Sequence, residues 1–221
     1  MICTGCEFCR FDVKEDIPDD IHEIHVTVKS VGDNSDFIEL CETNDIKPIV
    51  IVYNNVTGGT NLDPMTSMTF YGSCDDALSK AKEVAVIFSE NGLDVLRIKI
   101  ETSPTNTEAL GKPGYFESHL AVLCNTTTEK ILRNSVEEFK FIDDVTAHVS
   151  ANAFKYQNET KTVMVTHRRK NCDFGKFKFE LESLKLFLQK RAFTVEKTII
   201  EYCWHDDNIS HDNKWMGTVK K

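Results

Sequence analysis

Polar and apolar residues alternate along His22-Glu-Ile-His-Val-Thr-Val28, with Ile24, Val26 and Val28 on one side and Glu23, His25 and Thr27 on the other. Successive side chains of an extended backbone point to opposite faces, so this pattern predicts a strand with one buried and one polar face. The arrangement returns at Phe116-Glu-Ser-His-Leu-Ala-Val122, where Glu117 and His119 oppose Phe116, Leu120 and Val122. Further along, correspondences hold at an offset of 100 residues. Met65-Thr66-Ser67 matches Val165-Thr166-His167, and the helical stripe Ala77, Ala81, Val84, Phe88 matches Phe177, Leu181, Leu184, Leu188. Arg97 then falls opposite Lys197, and Glu101 opposite Glu201. The chain reads as an internal duplication.

Each half carries the same run of elements. In the first, strands are predicted over Glu23–Lys29, Pro48–Tyr53, Met65–Tyr71 and Asp94–Thr102, and helices over Ser35–Thr43 and Asp75–Glu90. Asn34 or Ser35 is the expected cap of the first helix, and Asn91-Gly92 the left-handed stop of the second. The second half predicts strands over Glu117–Leu123, His148–Lys155, Thr162–Arg168 and Val195–Tyr202, with helices over Glu129–Phe139 and Phe177–Lys190. This order, β-α-β-β-α-β twice, predicts an α+β protein of two tandem ferredoxin-like (βαββαβ) lobes related by a pseudo-twofold axis. The expected division is a Cys-rich N-terminal tail over 1–20, lobe 1 over 21–103, a linker over 104–114, lobe 2 over 115–202 and a Trp/His/Asp-rich tail over 203–221. Helices would cover the apolar face of each sheet, and the polar faces would line an interlobe cleft.

Composition narrows the function classes. With 41% hydrophobic residues the chain is not disordered, and a formal charge of −9 argues against coating duplex nucleic acid or an anionic membrane. No apolar run approaches the roughly 20 residues of a membrane span, and Met1–Phe11 lacks the form of a secretory signal. A soluble, cytoplasmic protein is expected. Cys3, Cys6 and Cys9 form a C-x2-C-x2-C run suited to zinc or an iron–sulfur cluster, but a complete site wants a fourth ligand and the next cysteine is Cys41. The remaining five cysteines read as small buried hydrophobes.

The polar faces hold the candidate chemistry. Glu23 and His25, with Arg97, Lys99 and Glu101 on the neighbouring fourth strand, are matched by Glu117 and His119 with Lys197 and Glu201. Histidine titrates near neutrality and can serve as acid or base. His25-Val-Thr27 resembles the H-x-T element of the 2H phosphoesterases, two-lobed proteins with one such element per lobe. That resemblance implies His25 and His119 as the catalytic pair on a phosphodiester, one acting as base and the other as acid. Glu23 and Glu117 would orient them, and Thr27, Arg97, Lys99, Lys197 and Arg168 would hold phosphate. The second element reads His119-Leu-Ala121 and lacks the hydroxyl, leaving Thr166 or Lys197 to replace it. The whole chain also resembles a group of duplicated ferredoxin-like proteins with no assigned activity, through Glu23-Ile-His25-Val-Thr27, Met65-Thr-Ser67, Arg97-Ile-Lys-Ile-Glu101, Tyr115-Phe-Glu-Ser-His119 and a terminal Asp-x4-Asp-x2-Trp.

The leading expectation is therefore a small anionic or phosphorylated ligand bound without a metal cofactor. One alternative is a divalent-metal enzyme, with zinc held by His25, Glu101, His119 and Glu201. Its paired lobes resemble the vicinal-oxygen-chelate enzymes, although their repeat is β-α-β-β-β. Another is a binding module without catalysis, in which Glu23/Arg97 and Glu117/Lys197 are cross-strand ion pairs. His167-Arg-Arg-Lys170 reads as a basic cluster for an anion. The segment Cys203–Trp215, which carries both tryptophans, is expected to fold back across the sheet or cleft, with Asp206, Asp207, His211 and Asp212 as further potential ligands.

Overall fold

In the computed structural model, which describes residues 18, 20–54, 59–143, 146–157 and 160–213, the two halves do not stand apart as lobes. The first half contributes β1 (Ile21–Val28), α1 (Ser35–Thr43), β2 (Lys47–Asn54), β3 (Thr60–Tyr71), α2 (Cys74–Glu90) and β4 (Val95–Thr102). After a short helix, α3 (Thr107–Leu110), the second half contributes β5 (Tyr115–Cys124), α4 (Thr126–Asp143), β6 (Thr146–Gln157), β7 (Thr160–Lys170), α5 (Phe174–Gln189) and β8 (Val195–Asp206). These strands form one closed antiparallel barrel in the order β1-β3-β2-β6-β7-β5-β8-β4. The expectation of two ferredoxin-like lobes is thus corrected, and so is the interlobe cleft. The Cys3-Cys6-Cys9 run and Trp215 lie outside the described residues.

Two seams close the ring. Ile51 and Val52 of β2 pair with Asn152 and Ala151 of β6, and Lys99–Thr102 of β4 pair with Asp206–Tyr202 of β8 across a bulge. Each half-sheet alone would present unpaired edges, and closure removes them. It also turns the polar faces inward, so that what reads as an open surface becomes the inside of a barrel.

The hydrophobic core lies outside the ring, between strands and helices. Ile24, Val26, Val28, Ile98 and Ile100 meet Ala77, Ala81, Val84 and Phe88 of α2, while Leu120, Val122, Val163 and Val165 meet the helices of the second half. Complete burial of each large aliphatic or aromatic side chain contributes about 1.5–3 kcal/mol. Ser73 caps α2 in a reciprocal box with Asp76. Gly92 ends that helix at φ +82°, and Ala192 holds the matching left-handed position after α5 at φ +63°. At the start of α1, Asn34 is itself left-handed and its side chain accepts from Ser30 and Val31 rather than from the helix. No helix among the described residues is long and apolar enough to cross a membrane.

Gly114 marks the tightest junction. A Cβ there would overlap the Cys203 carbonyl oxygen and lie 2.7 Å from the Tyr202 ring. Overpacking of this kind costs roughly 1–3 kcal/mol. Gly114→Ala is expected to lower the unfolding free energy by that amount, read as a reduced urea midpoint with the denaturant slope unchanged. Unaltered stability would show that the β5–β8 junction yields.

Candidate functional site

The barrel interior holds a partly open cavity of about 280 Å³. One arc of its wall is polar: Glu23 and His25 from β1, Arg97, Lys99 and Glu101 from β4, Glu117 and His119 from β5, Thr166 and Arg168 from β7, and Glu201 from β8. The remaining wall is mixed: Ile49 and Ile51 from β2, Met65 from β3, Met164 from β7 and Ile199 from β8 supply apolar surface, with Lys47, Asp63, Ser67, Ser150, Asn152 and Thr162 among them. Both halves therefore bring their first-strand histidine to one shared space.

An ionic network fills the polar arc. Lys99 Nζ lies 2.7 Å from Glu101 Oε1 and 2.7 Å from Glu117 Oε1. Arg168 donates to Glu117 at 2.5 Å and to Asp212 at 2.6 Å. Arg97 donates to both oxygens of Asp206, at 2.8 and 2.6 Å, and to Asp212 at 2.8 Å. Tyr115 donates to Asp206 at 2.7 Å. The turn Ile209–Asp212 that follows β8 folds back so that Asp212 bridges the two arginines, and His211 contacts Asp63 of β3 at 2.8 Å. Buried charges are tolerable only when paired and hydrogen-bonded in this way.

The network sets the carboxylates apart. Burial alone would raise Glu101, but the adjacent Lys99 ammonium and the hydrogen bond to His25 hold its pKa down to about 2. For Glu117, burial is likewise overcome, by Arg168 and then Lys99, and its pKa falls well below 4.5. Glu201 goes the other way. Burial, reinforced by Glu101, Glu23 and Glu117, outweighs Lys99 and lifts it well above 4.5. Its one ion-pair contact among the described residues is His119 Nε2, at 3.5 Å.

The histidines differ in the same sense. His25 Nδ1 faces the Thr66 carbonyl at 2.7 Å and Nε2 faces Glu101 at 3.1 Å. Both ring nitrogens meet acceptors, which suits the doubly protonated ring. Burial opposes that charge, yet Glu101 outweighs it and the pKa sits above 6.5. His119 has Nδ1 3.0 Å from the Thr166 hydroxyl and Nε2 3.4 Å from Glu117. Here burial exceeds the attraction of Glu117 and Glu101, with Lys99 and His25 adding repulsion, and the pKa falls below 6.5.

Several expected residues are placed differently. Lys197 opposes Ala121 near the exposed start of β8 and does not line the cavity. Neither expected cross-strand pair forms: Arg97 stands opposite Thr27 and pairs with Asp206 and Asp212 instead. Thr27 is fully buried with no hydrogen-bond partner for its hydroxyl, and it lies outside the cavity lining. The run His167–Lys170 is split by strand alternation. Arg168 enters the barrel, whereas His167 stacks on Phe177 in the core at 4.9 Å and Arg169 faces Glu180. The sequence gives Tyr115 no role of its own and marks Asp206 and Asp212 as potential ligands; in the fold Tyr115 donates to Asp206, and both aspartates pair with arginine.

The alternative metal ligands His25, Glu101, His119 and Glu201 do converge on this cavity. Ligand atoms of Glu101, Glu117 and His119 lie within 4.8 Å of one another, a donor set of the type that suits zinc. Lys99 nevertheless supplies the positive charge at which the two carboxylates meet. A divalent ion would have to displace it.

No protein-family model matches the chain, and no curated protein matches it. Among solved structures, it is similar to a candidate glycine cleavage system transcriptional repressor at 12% identity and TM-score 0.30, covering 84% of this chain and 98% of that one. It is also similar to a candidate chlorite dismutase at 12% identity and TM-score 0.29, covering 83% of this chain and 94% of that one. Likenesses at these scores carry no argument about function, and the chemistry of this chain rests on the cavity itself.

Proposed function

We propose that the barrel interior binds a small polar molecule and moves protons on it, with His25 as the general acid and His119 as the general base. The observation that supports this reading is that two histidines face one cavity in opposite electrostatic settings. One imidazole lies between two acceptors and is shifted toward its charged form. The other, buried beside the Thr166 hydroxyl with Glu117 and Glu201 at 3.4 and 3.5 Å, is shifted toward its neutral form. Groups whose surroundings push their titrations apart are the usual pattern of acid–base pairs.

The phosphoester version draws less support from the same cavity. Its lining holds six carboxylates, Glu23, Asp63, Glu101, Glu117, Glu201 and Asp212, against the four cations Lys47, Arg97, Lys99 and Arg168. The three cations from β4 and β7 are already engaged by carboxylates. A phosphate dianion would have to compete for them, so a neutral or cationic substrate suits the site better.

The test is a library of small neutral, cationic and phosphorylated compounds incubated with the protein in deuterated buffer, with conversion and deuterium uptake followed by NMR. At least one compound is expected to react. In parallel, His25 should titrate above 6.5 and His119 below it. Binding of library members with no conversion would make the barrel a binding module and overturn the catalytic reading.

A further inference from the structure

Within the cavity, charge pairing leaves one place unfilled. Lys99 is divided between Glu101 and Glu117, Arg168 between Glu117 and Asp212, and Arg97 between Asp206 and Asp212. Among the described residues, Glu23 receives only the Ser67 hydroxyl, at 2.5 Å on Oε1, and Glu201 meets only the His119 ring. Both carboxyl groups line the cavity, and across it stand the aliphatic and thioether side chains of Ile49, Ile51, Met65 and Met164. A ligand matched to this space carries a hydrogen-bonding positive head and a short apolar body. The available volume, about 280 Å³, is at the small end for ligand pockets and excludes a long chain.

We infer that the molecule taken up by the barrel is a small alkylamine-like cation, its ammonium seated between Glu23 and Glu201 beside His119 and its apolar body against the Ile49–Met164 wall. This inference rests on the acid–base reading of the site and names its substrate class. Three ammonium hydrogens meet two carboxylates and leave one directed toward His119, and bonds of this charge-assisted kind are the stronger ones.

The groups facing Glu201 are Glu23 on β1, Lys99 and Glu101 on β4, and Glu117 and His119 on β5. The one ammonium among them is already shared by Glu101 and Glu117, which leaves Glu201 to take up the positive head of the ligand.

The experiment is calorimetric titration of the full-length protein with three ligands of equal chain length, pentylamine, pentanol and pentanoate. Pentylamine is expected to bind most tightly, and pentanoate not to bind. Glu201→Gln and, independently, Glu23→Gln should each weaken the amine by roughly 10–100-fold, with circular dichroism confirming that each variant is folded. Equal affinity for all three, preference for pentanoate, no binding of any, or full retention of amine binding in both variants would overturn the inference. Amine binding without turnover of any library compound would leave it standing and remove the acid–base reading. Turnover confined to neutral or anionic compounds would do the reverse.

Discussion

Lys99→Met is expected to lower the unfolding free energy by about 3–5 kcal/mol at neutral pH, the range seen when one member of a buried ionic cluster is deleted. The side chain is of similar length, so the loss comes from charge rather than from volume. Without the ammonium, Glu101 and Glu117 confront each other almost wholly buried from solvent. The pH dependence gives the sign. In the native protein these carboxylates titrate below their ordinary value near 4.5, Glu101 at about 2. Their stabilisation is present above about pH 4.5 and is lost as pH falls through the folded-state values. In Lys99→Met the same groups prefer to be protonated, so the gap between variant and parent should narrow as pH drops from 7 toward 4. Adding Glu117→Gln to the variant should recover part of the loss. Urea denaturation across that pH range is the measurement. A constant difference at all pH values, or one below about 1 kcal/mol, would mean that the network contributes no more than an exposed ion pair.

His119→Asn is expected to reduce turnover of the compound identified by the library screen about 10²–10⁴-fold, the usual share of a positioned general base. The pH profile separates this role from a structural one. A neutral His119 and a charged His25 require kcat/KM to rise as pH climbs through a value below 6.5 and to fall through one above it. His119→Asn should remove the acidic limb and leave the alkaline limb, while His25→Asn should do the opposite. Variants that keep both limbs with an evenly reduced rate would place the histidines in support of the barrel rather than in the reaction.

Much of this site was legible from alternation alone. Glu23, His25, Arg97, Lys99, Glu101, Glu117 and His119 all belong to strands whose other face is plainly apolar, and the duplication aligned them. Closure was not legible. The β2–β6 and β4–β8 seams are made of backbone hydrogen bonds, and no side-chain pattern announces which edge meets which. The alignment also slips by one residue in the third strands: Met65 and Ser67 line the cavity with Met164 and Thr166. The Thr66 hydroxyl inserts into the β1–β3 ladder, accepting from Val26 N–H and donating to the Ile24 carbonyl, a local detail without a signature in composition. Lys197 was misplaced because pairing of positions does not preserve residue roles; its counterpart Arg97 owes its inward position to Asp206 and Asp212.

A ring sealed by residues as far apart in the chain as Ile51 and Asn152 or Lys99 and Asp206 has to find its ends late in folding. Until then each half is a curved sheet with two free borders of matching shape. A neighbouring molecule offers the same borders, so at high concentration refolding should produce interlocked pairs in which each ring is assembled from the first half of one chain and the second half of another.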